Sequence, residues 1–284
     1  MRNRIPVLSQ YVMPKRAITQ RFGALASRQR GKLTTAMIRT FVRRYGVNMD
    51  EALNPDVTSY RTFNDFFTRA LRPDARPLAK SDLICPVDGV ISQFGEMDGR
   101  QILQAKGHHY LTTELVGGDE KLATQFDHGS FATLYLAPKD YHRIHMPCAG
   151  RLTRMIHVPG TLFSVSPATA RGVPGLFARN ERVVCAFVNE RGPFVLVLVG
   201  ATIVGSVGTV WHGIVTPPRR SHIREWSYDD KTIELRQGEE MGRFELGSTV
   251  VLLFPKSHLM FNPAWTPGRP IRLGEAMATY PASP

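Results

Sequence analysis

The sequence predicts an α+β fold in which a set of basic amphipathic helices precedes a β-rich body. Three observations predict it. Apolar residues recur at helical spacing through residue 72 and give way to short β-type runs beyond Pro73. Residues 1–49 hold eleven Lys or Arg and no Asp or Glu, so the positive charge is gathered at the front. The 284 residues, 43% hydrophobic and 21% charged, are enough to bury a sizeable core and too polar for a polytopic membrane protein.

Ile18, Phe22, Leu25 and Ala26 repeat at helical spacing, as do Leu33, Met37, Phe41 and Tyr45, with Lys15, Arg16, Arg21, Lys32, Arg39 and Arg43 on or near the other faces. A third helix is expected over 62–71, with Thr62 as N-cap, Phe63, Phe66, Phe67 and Leu71 as its apolar stripe, and Pro73 as its stop. Beyond it, β-type runs are expected at 89–94, 131–136, 182–188, 194–199, 202–207 and 249–254. The most apolar segment, FVLVLVGATIVGSVG at 194–208, is shorter than a spanning helix needs and is interrupted by Gly, so it is expected to be buried β-structure. The division expected is a helical membrane-associating region, 1–72, and a β-rich domain, 73–284.

A formal charge of +12 and a pI near 10.0 point to a polyanionic partner. Acid-free helices with Phe and Leu on one side suit an anionic membrane surface. No RNP-type motif, zinc finger or helix-turn-helix signature supports nucleic acid. Three widely spaced cysteines, Cys85, Cys148 and Cys185, and a start without an apolar signal run predict a reducing compartment and no export.

Three segments carry candidate chemistry: CPVDGVIS at 85–92, YHRIHMPCAG at 141–150 and FELGSTVVLLF at 244–254. Asp88 before Gly89 is also a common turn opening. His142, His145 and Cys148 have a spacing that raises a metal site, but a fourth ligand is not evident nearby and Pro147 interrupts the run. Gly-Ser occurs three times, at 129–130, 205–206 and 247–248; only the last is set between Leu246 and a Thr that begins a buried-strand run, with 37 residues from Ser248 to Pro284.

L-G-S-T ahead of a hydrophobic strand, with P-V-D-G and Y-H-R-I-H-M-P upstream in that order, resembles the bacterial phosphatidylserine decarboxylases. YRTFNDFFTRALRPDARPL at 60–78, VPGTLFSVSP at 158–167, GLFARNERV at 175–183 and VGATIVGSVG at 199–208 also resemble segments of that family, so the likeness covers nearly the whole chain.

The resemblance implies a precursor that cuts itself between Gly247 and Ser248 into a 1–247 beta chain and a 248–284 alpha chain. Ser248 then becomes a covalent pyruvoyl group, so neither pyridoxal phosphate nor a metal is expected. The residue types suit this: a seryl hydroxyl can attack the preceding carbonyl, and Gly leaves that carbonyl open. By the same resemblance His145 is the general base, Asp88 the carboxylate that orients it, and His142 the proton donor in decarboxylation of phosphatidylserine to phosphatidylethanolamine. Phe163, Ser164 and Val165 are implied as substrate contacts; a Pro-Gly turn into a strand is the plain alternative for that loop. A homodimer of alpha/beta heterodimers, peripheral on the cytoplasmic face of the cell membrane, is also implied. Two other readings stay open: an uncleaved serine hydrolase using Asp88, His145 and Ser248, although a G-x-S-x-G elbow is missing, and a basic protein that only binds membrane or nucleic acid.

Overall fold

The computed structural model describes residues 11, 14–105, 107–202, 206–219, 221–245 and 248–281. Near its start lie helices α1 (Lys15–Ala26), α2 (Lys32–Tyr45) and α3 (Phe63–Phe67). α2 stops on Gly46, which takes the left-handed conformation at φ 67° and returns its N–H to Val42. α3 starts at a capping box: the Asp65 N–H donates to Thr62 Oγ1 and the Thr62 N–H donates to the Asp65 carboxylate, both at 3.0 Å.

α3 is shorter than the apolar stripe predicts. Thr68 Oγ1 bonds back to the Asn64 carbonyl at 2.9 Å, and the chain then leaves the helix to meet an earlier loop, with Leu53 N–H donating to Ala70 O and Arg72 N–H to Glu51 O. Leu71 therefore bridges Ala52 instead of extending the stripe. Phe63, Phe66 and Phe67 are buried with Ile38, Ala26 and Val47 in a core cluster of their own, and Phe41 meets all three rings edge-on at 5.2–6.0 Å. Phe22, Leu33 and Tyr45 remain about half exposed.

The body follows as β1 (Leu83–Ile84), β2 (Gly89–Glu96), β3 (Gln101–Ala105), β4 (His108–Leu111), β5 (Ser130–Leu136), β6 (Arg143–His145), β7 (Gly150–Val158), β8 (Arg182–Asn189) and β9 (Gly192–Val199). It continues with β10 (Ser206–Thr209), β11 (Gly213–Thr216), β12 (Arg224–Ser227), β13 (Glu234–Leu235), β14 (Glu240–Glu245), β15 (Ser248–Phe254), β16 (Met260–Phe261), β17 (Pro270–Ile271) and β18 (Ala276–Thr279). The large sheet runs β12-β7-β8-β9-β15-β5-β2-β17, with β13 also on β7, and a second sheet runs β11-β10-β14-β6. Neighbouring strands in both are antiparallel.

All seven residues of β15 are buried, because STVVLLF has no alternation and must be covered on both faces. It lies between β5 and β9, opposite Leu136 at Ser248 and opposite Val199 at Thr249. β14, two residues upstream, belongs to the other sheet. The link over 246–247 therefore joins two sheets, and those two residues lie outside the described ones.

The run expected at 202–207 yields β10 from Ser206; residues 203–205 lie outside the described ones. β7 was not predicted, since Arg151, Arg154 and His157 break its apolar pattern. Its Arg154 is paired with Asp119 and Glu225, both at 2.6 Å, which lets a charged residue occupy a strand in this sheet. Among the described residues, no helix is long and apolar enough to cross a membrane.

Candidate active site

Ser248 opens the central strand β15. Its side chain is fully buried and its Oγ has no hydrogen-bond partner among the described residues. Buried hydroxyls are normally paired, so an orphan at this position calls for a chemical explanation.

His142 stands just ahead of β6 and bonds both to β14 and to the residue that follows β5. Its carbonyl accepts the Phe244 N–H at 3.0 Å, from β14, and its ring Nε2 reaches Ala137 O at 3.0 Å, one residue beyond the Leu136 that faces Ser248. A carbonyl only accepts, so Nε2 carries the proton and Nδ1 is left as an acceptor; Nδ1 is buried and has no partner among the described residues. The ring stacks on Phe67 of α3 with centroids 4.1 Å apart. Burial, reinforced by Arg69, pushes its pKa down to about 3, so His142 is neutral at pH 7.

His145 closes β6, and its N–H donates to Pro86 O at 2.9 Å. Its Nδ1–H donates to Gly238 O at 2.8 Å, which makes Nε2 the acceptor, and Nε2 receives the Tyr141 hydroxyl at 3.1 Å. Burial lowers the His145 pKa, opposed by the Gly238 carbonyl and by the charges of Glu240 and Asp88.

Asp88 sits at the mouth of β2. Its Oδ1 accepts from Arg76 Nε and from the Leu273 N–H, both at 2.9 Å, and its Oδ2 accepts from Arg76 Nη2 at 2.5 Å. The same Arg76 Nη2 reaches Glu51 at 2.7 Å. Burial works against this guanidinium, yet the two carboxylates prevail and raise its pKa above the ordinary arginine value. The glycine that follows Asp88 is required by space, since a Cβ on Gly89 would lie 2.3 Å from the Tyr135 carbonyl oxygen of β5.

Asp88 and His145 thus stand on adjoining segments, joined through Pro86. Among the described residues no hydrogen bond links Asp88 to His145, or His145 to Ser248. Gly247 lies outside the described residues. Cys148 Sγ accepts from Asn189, and no group of three or more His, Cys, Asp or Glu among the described residues could hold a metal ion.

The loop of Phe163, Ser164 and Val165 is tied to the same end of the large sheet. Asn180, fully buried, accepts the Phe163 N–H and donates to the Phe163 carbonyl, both at 2.9 Å, and donates also to Gly200 O at 2.8 Å. Gly200 directly follows Val199, the partner of Thr249. Phe163 and Val165 are buried, while Ser164 Oγ accepts from the Ser166 N–H at 3.4 Å. Cations cover the Phe163 ring: Lys15 of α1 at 4.5 Å and Arg179 at 4.9 Å.

Sequence reasoning missed Arg76, Tyr141 and Asn180. All three lie inside segments that resemble the family, but only the folded partners single them out.

Comparison with known proteins puts the chain in a class of decarboxylases, the carboxy-lyases. A family model described as phosphatidylserine decarboxylase matches residues 63–279, and a second, described as PSD, matches 5–46. A relative in Albidiferax ferrireducens is 69% identical over 281 residues, 99% of each chain, and one in Variovorax paradoxus is 68% identical over 98% of each. A third, in Dechloromonas aromatica, is 66% identical over 98% of this chain and 99% of its own. All three are named phosphatidylserine decarboxylase proenzyme. The chain belongs to the phosphatidylserine decarboxylase family.

Proposed function

We propose that this chain is the precursor of a decarboxylase that converts phosphatidylserine to phosphatidylethanolamine and carbon dioxide after cutting itself at Gly247–Ser248. The carrying observation is the buried Ser248 Oγ, unpartnered among the described residues, at the point where the chain passes from one sheet to the other. Scission there is compatible with a standing fold. β14 is paired on both sides, by β10 and β6, and β15 by β5 and β9, so both new ends stay held.

In this reading Ser248 Oγ attacks the Gly247 carbonyl carbon, an ester replaces the amide, and the proton released from the hydroxyl goes to the departing amine by way of His145. Neutral His145 offers Nε2 as the accepting nitrogen, and the charge of Asp88 favours the protonated ring that results. Loss of the Ser248 Cα proton then expels the ester, and hydrolysis of the dehydroalanine left behind releases ammonia.

The pyruvoyl group so formed would supply an electrophilic carbonyl that condenses with the substrate amine and accepts the electron pair left by carbon dioxide. His142 Nδ1, an acceptor in a dry site, relays a proton drawn from solvent to the substrate carbon; its low basicity means that the proton is passed on and not stored. Phe163, Ser164 and Val165 border the headgroup.

Residues 1–72 form the membrane-associating part in this reading, and 73–284 the catalytic domain. α1 and α2 enclose an apolar groove of about 520 Å³ that includes Phe22, Leu33, Phe41 and Tyr45. Exposed Arg21, Lys32, Arg39, Arg43 and Arg44 stand around these helices. Cations for headgroups beside rings for acyl chains suit a peripheral enzyme on the cytoplasmic face of the cell membrane. A homodimer of cleaved chains completes the reading.

Intact-mass analysis and carbon dioxide release test it. Ser248→Ala stays one chain and releases none, whereas His142→Ala is cut but does not turn over. A Ser248→Ala protein that still decarboxylates sinks the reading; an uncut wild-type chain labelled at Ser248 by a fluorophosphonate favours a serine hydrolase instead. Binding to vesicles rich in phosphatidylglycerol should weaken with added salt, and indifference to salt would remove the role given to the basic helices.

A further inference from the structure

A polar cavity of about 290 Å³ opens beside Asp88, on the flank of β5 away from β15, with Arg69, Arg76, Lys139, Asp140 and Tyr141 in its wall. Its carboxylates are already matched. Asp88 and Glu51 share Arg76, Glu51 has Arg272 at 3.4 Å as well, and Asp140 accepts the Ala137 N–H at 2.7 Å with Lys139 at 4.0 Å.

Arg69 is the cation left over. It is 95% buried (5% exposed), yet among the described residues no carboxylate is paired with it, its Nε has no partner, and its Nη2 reaches only the Lys139 carbonyl, at the long distance of 3.5 Å. Its guanidinium carbon lies over the Phe66 ring, 5.4 Å from the centroid. Burial lowers its pKa, with only partial relief from Tyr60, Asp88, Glu51 and Tyr141. Four cations against three acids leave the wall with one positive charge in excess. A buried guanidinium without a counter-ion is costly, and its planar fork suits an oxyanion.

We propose that Arg69 anchors a site for a phosphate-class oxyanion in this cavity. The anion is either inorganic phosphate or the phosphodiester of a phospholipid headgroup, and the second source rests on the decarboxylase reading. The cavity wall includes Ala137, whose carbonyl holds His142 and which follows the partner of Ser248, so an anion there neighbours the candidate catalytic residues.

Calorimetric titration of the purified protein with inorganic phosphate tests the site without requiring turnover, so its outcome is separate from that of the decarboxylase reading. The wild type should bind one phosphate. Arg69→Met should bind at least about tenfold more weakly, as expected for loss of a charge-assisted contact; Arg69→Lys should fall between, and Arg236→Gln, 88% exposed and outside the cavity wall, should stay within about threefold. Should Arg69→Met fail to fold, the wild type alone decides: its melting temperature should rise in phosphate relative to chloride at equal ionic strength. Absence of binding and of this rise in the wild type overturns the proposal, as does equal affinity in folded Arg69→Met. Competitive inhibition by phosphate in phosphatidylserine–detergent micelles, with a raised KM in Arg69→Lys, identifies the headgroup as the source; phosphate binding that leaves KM unchanged identifies the free anion.

Discussion

Replacing Arg76 by methionine tests the most heavily bonded side chain around Asp88. The Arg76 side chain is 8% exposed, and those of its partners Asp88 and Glu51 are 11% and 20% exposed, so solvent screens these pairs little. Methionine keeps the stem and deletes contacts at 2.5, 2.7 and 2.9 Å. Glu51 still has Arg272 at 3.4 Å, but among the described residues Asp88 keeps only the Leu273 N–H. Leaving a buried charge without its partner costs about 3–5 kcal/mol. At roughly 2–4 °C per kcal/mol for a chain near this size, the melting temperature should fall by about 6–20 °C.

Scanning calorimetry at pH 7 measures that loss, and a cycle with Asp88→Asn isolates its origin. With the carboxylate already neutral, Arg76→Met should cost about 2 kcal/mol less than in the wild-type background. The pH dependence has a definite sign. Burial alone would raise the Glu51 carboxyl, but Arg76 and Arg272 hold it below the usual carboxylate range. Its stabilising share is therefore present above about pH 4.3 and is lost as pH falls through the depressed folded value, so the gap between wild type and Arg76→Met should narrow in acid. A loss below about 1 kcal/mol, or an equal loss in both backgrounds, would refute the ion-pair reasoning.

His142, with its pKa pushed down to about 3, should show no imidazole titration by NMR between about pH 5 and 8. Because the unfolded chain takes up that proton near pH 6.5, its contribution to stability is complete above that pH and declines as pH drops toward 3; a His142 resonance that titrates near 6.5 contradicts the burial argument. Asn180→Ala strands the Phe163 N–H, the Phe163 carbonyl and the Gly200 carbonyl, and should cost about 3 kcal/mol by urea denaturation; a cost under about 1 kcal/mol means that the loop is held by other contacts.

Strands whose residues are nearly all apolar, such as β9 and β15, were legible because uninterrupted burial leaves a run without polar breaks. β7 was not, since its charged residues find partners only when Asp119 and the strand carrying Glu225 arrive beside it. The start of α3 was readable from Thr62, whose cap is local; its end was not, because the competing partner of residues 70–72 is the loop at 51–53.

Local sequence determined the residues that can do chemistry: a serine ahead of a buried run, a histidine pair three apart, and an aspartate before a glycine. It also determined the basic character of the first fifty residues. Tertiary structure alone decided that Asp88 meets Arg76 and the backbone of Leu273, which is 185 residues away, that His142 lies under Phe67, and that Ser248 stands where two sheets join. The reason is geometric. A hydrogen bond or a close ring contact depends on atoms being set to within a few tenths of an ångström, and here distant strands supply them, whereas composition and periodicity fix only which face of its own element a side chain occupies.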